Sequence, residues 1–138
     1  MNSEFTIAVH SLALLANLPD HMASSEHIAK NVCTNPARIR KIMSILRKHG
    51  FVRTKEGIGG GYILDRDPRE LNLAQIYETI SSGTLKPHWC TGDPEDACVV
   101  SSKMHCVMDQ IFNQAEFHYK KYLEQITIHS VLDQIKRP

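Results

Sequence analysis

Four cysteines are the residues of this chain that could do redox or metal chemistry: Cys33, Cys90, Cys98 and Cys106. Seven residues separate Cys90 from Cys98, and seven more separate Cys98 from Cys106. Thiolates bind soft metals and iron–sulfur clusters, and reactive thiols serve as redox sensors. In a chain of this kind, such roles are more common than a disulfide framework. The three late cysteines are therefore a candidate metal or redox site, with unreactive thiols as the alternative.

A second kind of chemistry is indicated by the distribution of charge. The net charge is only +1, but the segment from His21 to Arg66 holds nine Lys and Arg residues against three acids and carries +6. The segments on either side are net acidic. A local excess of Lys and Arg is typical of phosphate binding, because each neutralised phosphate releases condensed counterions. The alternative is an ordinary solvated helix face.

Length and composition exclude several classes of protein. A chain of 138 residues is expected to form about one domain. Hydrophobic residues make up 42% and charged residues 22%, as in an ordinary globular protein, and no apolar run approaches the ~18 residues of a membrane span. The N-terminus lacks the basic region and cleavage site of a signal peptide, so a cytoplasmic location is expected.

The elements that must position these residues are mostly helices. Apolar residues recur every three or four positions from about Glu4 to Leu18, which predicts a first helix that ends before Pro19. Ser24 or Ser25 suits the N-cap of a short second helix that reaches Val32. Cys33 follows in the turn, where a small buried residue is expected.

A third helix is predicted to begin at Pro36, with Asn35 or Thr34 as its N-cap. Its apolar residues, Ile39, Ile42, Met43 and Leu46, follow the spacing of one buried stripe, so the remaining face is strongly basic. The residues on this helix that we expect near DNA are Asn35, Arg38, Arg40, Lys41 and Ser44. The free amides at the helix start suit phosphate.

A hairpin follows the third helix. Gly50 suits the helix end, residues 51–54 alternate like a strand, and residues 62–64 return as its partner after a glycine-rich turn. Two short helices, a tight turn, a basic helix and this hairpin predict a winged helix-turn-helix. In that fold the second helix of the pair enters the major groove, and the wing rests on the backbone or minor groove.

The rest of the chain consists of a short helix over about 72–82, a loop and a long helix. The loop between Gly83 and Cys98 contains Trp89, which either covers a small-molecule pocket or anchors the loop. An apolar stripe then predicts a helix from about Ser101 to Ile126, and a final helical turn or two covers Ser130 to Ile135. The long helix exceeds what this core can cover, so we interpret it as a dimerisation element.

The chain resembles the Rrf-two (Rrf2) family of bacterial transcription regulators. The resemblance is carried by four stretches, Asn35–Ile42, Leu46–Val52, Gly57–Leu64 and Leu71–Leu73, and the opening residues Phe5–His10 and the long helix also fit. It implies a homodimer, a third helix in the major groove, a wing against the minor groove, and repression that a signal relieves. On the wing it points to Gly60, Gly61 and Tyr62, and to Lys55 or Arg53 as substitutes, because Glu56 stands where many relatives have arginine.

The resemblance also bears on the cysteines. Some relatives hold an iron–sulfur cluster on three cysteines before the long helix, where Cys90, Cys98 and Cys106 lie, but with a shorter second gap. Others respond through a single thiol, for which Cys90 and Cys98 are the candidates here.

The sequence therefore predicts a mainly α protein with a small β-hairpin wing and a long C-terminal dimerisation helix. Residues 1–82 are assigned to the winged helix-turn-helix, 83–100 to a sensor-type loop, and 101–138 to the dimerisation and C-terminal helices. The predicted function is that of a homodimeric transcriptional repressor. It would bind double-stranded DNA and respond to a signal through redox chemistry or through an iron–sulfur cluster. The alternatives are a small metal or redox enzyme and a winged-helix interaction module. No acid–base pair, nucleophile motif or cofactor loop supports the enzyme.

Overall fold

The computed structural model describes residues 3–138, which form six helices and three short strands. Their order is α1 (Glu4–Asn17), β1 (Met22–Ala23), α2 (Ser25–Val32), α3 (Pro36–Lys48), β2 (Val52–Lys55), β3 (Gly61–Leu64), α4 (Leu73–Ile80), α5 (Val99–Leu123) and α6 (Ile128–Lys136). The predicted fold class, mainly α with a β-hairpin wing, is confirmed. None of the helices in residues 3–138 is both long enough and apolar enough to cross a membrane.

Local signals fix the ends of the helices that matter for function. The Ser24 hydroxyl accepts a hydrogen bond from the His27 amide at the start of α2, at 3.1 Å. The Asn35 carboxamide oxygen accepts one from the Arg38 amide at 2.8 Å, and Pro36 occupies the first turn of α3. Gly50, at φ +79°, ends α3 with a left-handed residue that allows the Phe51 amide to bond back to Leu46.

The core is built around α1 and the inner face of α3. Leu12 and Leu15 of α1 are fully buried, as are Ile39, Met43 and Leu46 of α3. Burial of each such side chain stabilises the fold by roughly 1.5–3 kcal/mol. The predicted stripe of α3 therefore lies in the core and directs its basic residues outward.

The wing is a three-stranded antiparallel sheet in the order β1-β3-β2. Thr54 of β2 pairs with Tyr62 of β3, and Tyr62 pairs in turn with Ala23 of β1. The hairpin was predicted from the sequence, but β1 was not, because a two-residue strand is too short for a periodic pattern. This strand attaches the wing to the start of α2.

One aromatic cluster joins α1, α4 and α5. The ring of Tyr77 in α4 is fully buried and meets the rings of Phe5 and Tyr119 edge to face, with centroids 5.7 and 5.0 Å away. The Tyr77 hydroxyl donates a hydrogen bond to the Glu116 carboxylate at 3.1 Å. Burial raises the pKa of Tyr77, so the hydroxyl stays protonated and remains a donor at neutral pH.

The long helix α5 spans 25 residues and starts two residues earlier than predicted. Its apolar residues divide between two faces. Tyr119 and Leu123 face the core, whereas Val107, Ile111 and Tyr122 are about half exposed or more. The expectation that part of the predicted stripe stays uncovered by this chain therefore agrees with the structure.

The last helix returns to the start of the chain. α6 packs along α1, and its Ile128 is fully buried. The turn before it is tied to the start of α4, since the Leu73 amide bonds to the Ile126 carbonyl at 2.8 Å and the Ile128 amide to Leu71 at 3.0 Å. The C-terminal end of α5 is thus held against the winged unit.

The wing provides a stability test at Gly61. A Cβ at Gly61 would overlap the backbone of Ala23 and Ser24, and its φ is +153°. We expect Gly61→Ala to lower the free energy of unfolding by about 3 kcal/mol in urea titrations. Gly59→Ala is the matched control: its φ is also positive, at +76°, but nothing lies within 4 Å of the added carbon. It should cost about 1 kcal/mol, and equal losses for the two variants would contradict the close approach at β1.

Candidate nucleic-acid interface and thiol loop

The outer side of α3 carries a basic face, defined here as Arg40, Lys41, Ser44, Arg47 and Lys48. All five residues are exposed. Their spacing follows the turn of the helix, so they lie on the side opposite the buried stripe. Asn35 marks the start of the same helix, where its side chain caps the Arg38 amide. Pro36 has no N–H and the Ile39 amide bonds to the Asn35 carbonyl, which leaves the Ala37 amide at the positive helix end.

Two acidic residues from other helices lie beside Arg40 and Lys41 in the middle of the basic face. The Arg40 guanidinium lies 3.9 Å from the Glu26 carboxylate of α2, and the Lys41 ammonium lies 3.8 Å from Glu4 of α1. Both cations are more than half exposed, so each pair contributes little to stability. The two acids therefore influence where these side chains point, and a phosphate can take their place as the partner of each cation.

Arg38 points away from this face. It is half-buried, and its guanidinium donates a hydrogen bond to the Ser3 hydroxyl at 2.8 Å. The structure thus places this predicted DNA-contacting residue at the N-terminus of α1, where it links α1 to α3. No local sequence pattern indicates that contact, because Ser3 and Arg38 are 35 residues apart.

The wing brings the remaining predicted residues beside α2. Lys55 pairs with Gly61 across the hairpin, and Tyr62 is half-buried between its two neighbouring strands. Gly60 lies against the Lys55 carbonyl with no room for a Cβ. The wing, Ser24 and the first residues of α2 line an open groove of about 350 Å³.

Other basic residues of the segment have structural partners. Arg53 lies 3.4 Å from Asp65, and Arg66 stacks over the Phe51 ring at 4.8 Å while donating to the carbonyls of His49 and Gly50. Both residues belong to the segment from His21 to Arg66 that carries +6. The tertiary structure separates them from the exposed cations of α3.

The three late cysteines lie on a loop and on the start of α5. We call residues 83–98 the thiol loop. Cys90 lies within it, Cys98 is the N-cap of α5, and Cys106 lies about two turns inside that helix; all three are exposed. Cys106 Sγ contacts His105 Nε2 at 3.3 Å.

This arrangement does not fit an iron–sulfur cluster. Cys106 lies eight positions after Cys98 along the helix, a rise of about 12 Å at ~1.5 Å per residue. Within residues 3–138, no three His, Cys, Asp or Glu side chains come together as metal ligands. Three thiolates could meet on one cluster only if the first two turns of α5 unwound.

Cys98 differs electrostatically from an ordinary surface thiol. The backbone N–H groups of Ser101 and Val100 lower the pKa of the Cys98 thiol, as expected for an anion at a helix N-terminus. A larger fraction of this thiol is therefore ionised near neutral pH, which makes it a better nucleophile.

The predicted burial of Cys33 was wrong. Cys33 was expected to be a small buried residue in the helix-turn-helix turn, but it is exposed. It caps the C-terminus of α2 in the left-handed conformation, at φ +68°. A residue in this conformation ends the helix and turns the chain outward, which the periodic pattern does not reveal.

A helix-turn-helix whose second helix presents a basic face, flanked by a β-hairpin, defines a winged-helix DNA-binding regulator. Comparison with known proteins agrees, because residues 1–134 match the Rrf2 family model, described as an iron-dependent transcriptional regulator. The chain belongs to the Rrf2 family and is a DNA-binding transcriptional regulator, not an enzyme. The family includes iron–sulfur cluster sensors.

Individual relatives cover nearly the whole chain. YwnA of Bacillus subtilis (strain 168), named as a candidate HTH-type transcriptional regulator, is 26% identical, and the match covers 98% of both chains. The HTH-type transcriptional regulator NsrR of the same organism is 24% identical over 86% of this chain and 80% of its own. A solved structure of a candidate transcriptional regulator from Lactobacillus plantarum has a TM-score of 0.85 at 27% identity, covering 99% of this chain and 92% of that one.

The lowered pKa of Cys98 generates a prediction about thiol reactivity. At pH 7, iodoacetamide should alkylate Cys98 faster than Cys33 or Cys106, because alkylation requires the thiolate. The preference should shrink as the pH rises above about 9, where ordinary thiols ionise as well. Peptide mass spectrometry of timed samples measures this, with Cys33 and Cys106 of the same molecule as internal controls. A pH-independent order of reactivity would contradict the helix-terminus effect.

Proposed function

We propose that this protein is a homodimeric repressor in which α3 enters the DNA major groove and the wing contacts the adjacent backbone or minor groove. The observation that carries the proposal is the exposed basic face of α3, whose orientation is set by a fully buried apolar stripe. Arg40, Lys41 and Ser44 are the proposed groove residues. Asn35 and the wing residues Lys55, Gly60, Gly61 and Tyr62 are the proposed positioning contacts. With chromosomal DNA as its partner, the protein would act in the cytoplasm.

Arg38 has a different part in this proposal. Its bond to Ser3 supports a role in holding α3 against α1. An arginine in that position can still reach a phosphate at the edge of the interface. It would then position the helix and not read bases.

The DNA interface is tested by removing two cations from the basic face. The variant Arg40→Ala/Lys41→Ala should bind DNA about 10- to 100-fold more weakly near physiological salt, and the slope of log affinity against log salt should fall by about two. Fluorescence anisotropy measures both, on a duplex that the unmodified protein selects from a random library. Lys136→Ala/Arg137→Ala is the matched control, because it removes the same charge from the exposed end of the chain. Unchanged affinity and slope in the α3 variant would overturn the proposal.

The proposed dimer interface is the exposed side of α5. We call Val100, Met104, Val107 and Ile111 the α5 stripe; their spacing places them along one side of the helix, and they are 62%, 37%, 49% and 52% exposed. An apolar row of this length on a helix is typical of a surface that a partner covers. A second copy meets this requirement with an isologous contact, as most soluble homodimers do.

The dimer is tested with a charge on the α5 stripe. Ile111→Glu should convert the protein to a monomer at micromolar concentration, because the interface would then bury one unpaired carboxylate from each copy. Sedimentation velocity measures the oligomeric state. Asn113→Glu, on an exposed position of the same helix away from the stripe, should remain dimeric. A wild-type monomer, or a dimer in both variants, would contradict this interface.

The thiol loop is the region that we propose senses the signal. It connects α4 of the winged unit, which we assign to residues 1–82, with the dimerisation region of residues 101–138. At its start, the Gly83 amide donates a hydrogen bond at 2.5 Å to the same Glu116 oxygen that accepts from Tyr77. A change in the loop would therefore reach α4 and α5 together. Since the cysteines as folded do not fit a cluster, we propose thiol chemistry at Cys98 or Cys90 as the signal, with a cluster on Cys90, Cys98 and Cys106 requiring refolding of α5.

A further inference from the structure

One acidic side chain stands on the side of the protein that carries the basic face. Glu26 lies in the first turn of α2, its side chain is 72% exposed, and its Oε1 is 3.9 Å from Arg40 Nη1. It also lines the open groove between α2 and the wing. DNA is a polyanion, so a carboxylate at this place lowers the affinity for the DNA backbone. Any contribution of Glu26 to DNA binding is therefore to selectivity.

The position of the Glu26 carboxylate is set by α2 and does not depend on the arginine. The Ser25 hydroxyl donates a hydrogen bond to Glu26 Oε2 at 3.1 Å, and the start of a helix favours a negative charge. α2 packs against α3, and Ile28 of α2 and Ile39 of α3 are both fully buried. The helix-turn-helix thus holds Glu26 beside the part of α3 from which Arg40 projects.

Arg40 can bind DNA in two ways that differ in the charge of the acceptor. Glu26 lies beside Nη1 of the guanidinium, which leaves the N–H groups of Nη2 and Nε as a pair of donors. Such a pair fits two oxygens of a phosphate, and it fits O6 and N7 of guanine equally well. The phosphate is an anion, whereas the guanine edge carries no net charge.

The charge of Glu26 discriminates between these two acceptors. A phosphate bound by the Arg40 guanidinium lies no more than about 10 Å from the Glu26 carboxylate, which is close to the Debye length in physiological salt. The repulsion between the two anions is therefore only partly screened, and the phosphate competes with Glu26 for the same cation. Guanine O6 and N7 can be bound while the ion pair stays in place.

We propose that Glu26 is a specificity-determining residue, which directs Arg40 away from phosphates and onto a guanine in the major groove. This inference deepens the proposed function and rests on it, because it requires α3 to lie in the major groove. Removal of the Glu26 charge strengthens contacts to phosphate, and with them binding to any sequence, while the contact to guanine gains nothing. The variant is therefore expected to lose preference for guanine without losing affinity for DNA.

The experiment first finds the base pair that Arg40 reads. The full chain and its Arg40→Ala variant each select duplexes from a random library, and the pair of interest is the one at which only the unmodified protein prefers guanine. Fluorescence anisotropy with the four bases at that pair then gives the preference as a ratio of affinities. If Arg40→Ala changes no guanine preference, the inference is overturned. The affinity and salt slope of Arg40→Ala/Lys41→Ala still test the DNA interface separately.

The decisive variant is Glu26→Gln, which keeps the size of the side chain and removes its charge. We expect its preference for guanine at that pair to fall by about threefold or more, while its affinity for unrelated duplexes rises by about threefold. In the Arg40→Ala background, Glu26→Gln should not change the preference further. A further change there would mean that Glu26 acts without the arginine, which contradicts the proposal.

Glu56→Gln is the matched control. Glu56 is exposed on the wing and lines the same groove, so the variant removes the same charge outside the ion pair with Arg40. It should leave the guanine preference at that pair unchanged within twofold. An unchanged preference in Glu26→Gln, or an equal fall in both variants, would overturn the proposal.

Discussion

The packing of α3 against α1 is the constraint on which the rest of the structure depends. Four apolar side chains of α3, Ile39, Ile42, Met43 and Leu46, are almost completely removed from water. A helix fixed in this way cannot rotate without exposing them, so the basic face has one orientation. Arg38 adds a polar tie from the same helix to Ser3. The interface is therefore rigid in its backbone and adjustable only in its exposed side chains.

That adjustability has an electrostatic origin. Glu26 and Glu4 stand beside Arg40 and Lys41 at distances of nearly 4 Å, with both cations well exposed to water. Solvent screening makes such pairs weak, so the acids limit where the cations point without competing strongly against a phosphate. Neighbouring acids of this kind favour specific binding, because a poorly placed phosphate meets their negative charge.

A second contact region connects the winged unit to the long helix. The Tyr77 ring packs against aromatic rings of α1 and α5, and its hydroxyl donates to the Glu116 carboxylate of α5. Glu116 also accepts a hydrogen bond from the first amide of the thiol loop. Lys120 and Glu78 add an ion pair at 2.8 Å between α5 and α4, and the hydrogen bond to Glu78 raises the pKa of the lysine. The loop, α4 and α5 therefore share contacts through which a change at the thiols would reach the DNA-binding unit.

The sequence by itself determined the helices, the β2-β3 hairpin of the wing and the family of this protein. The α3 stripe, the Asn35 cap and the glycine-rich turn each involve residues that are close in sequence. They can therefore be recognised without information on contacts between distant residues. The sequence also marked the cysteines as chemically interesting, but could not say which of them meet. Only the tertiary structure decided that Arg38 turns toward α1, that Cys33 is exposed, and that helix geometry keeps Cys98 and Cys106 apart. The open pocket between residues 86–91 and α5 is of the same kind, because its walls come from a loop and a helix face that no sequence pattern brings together.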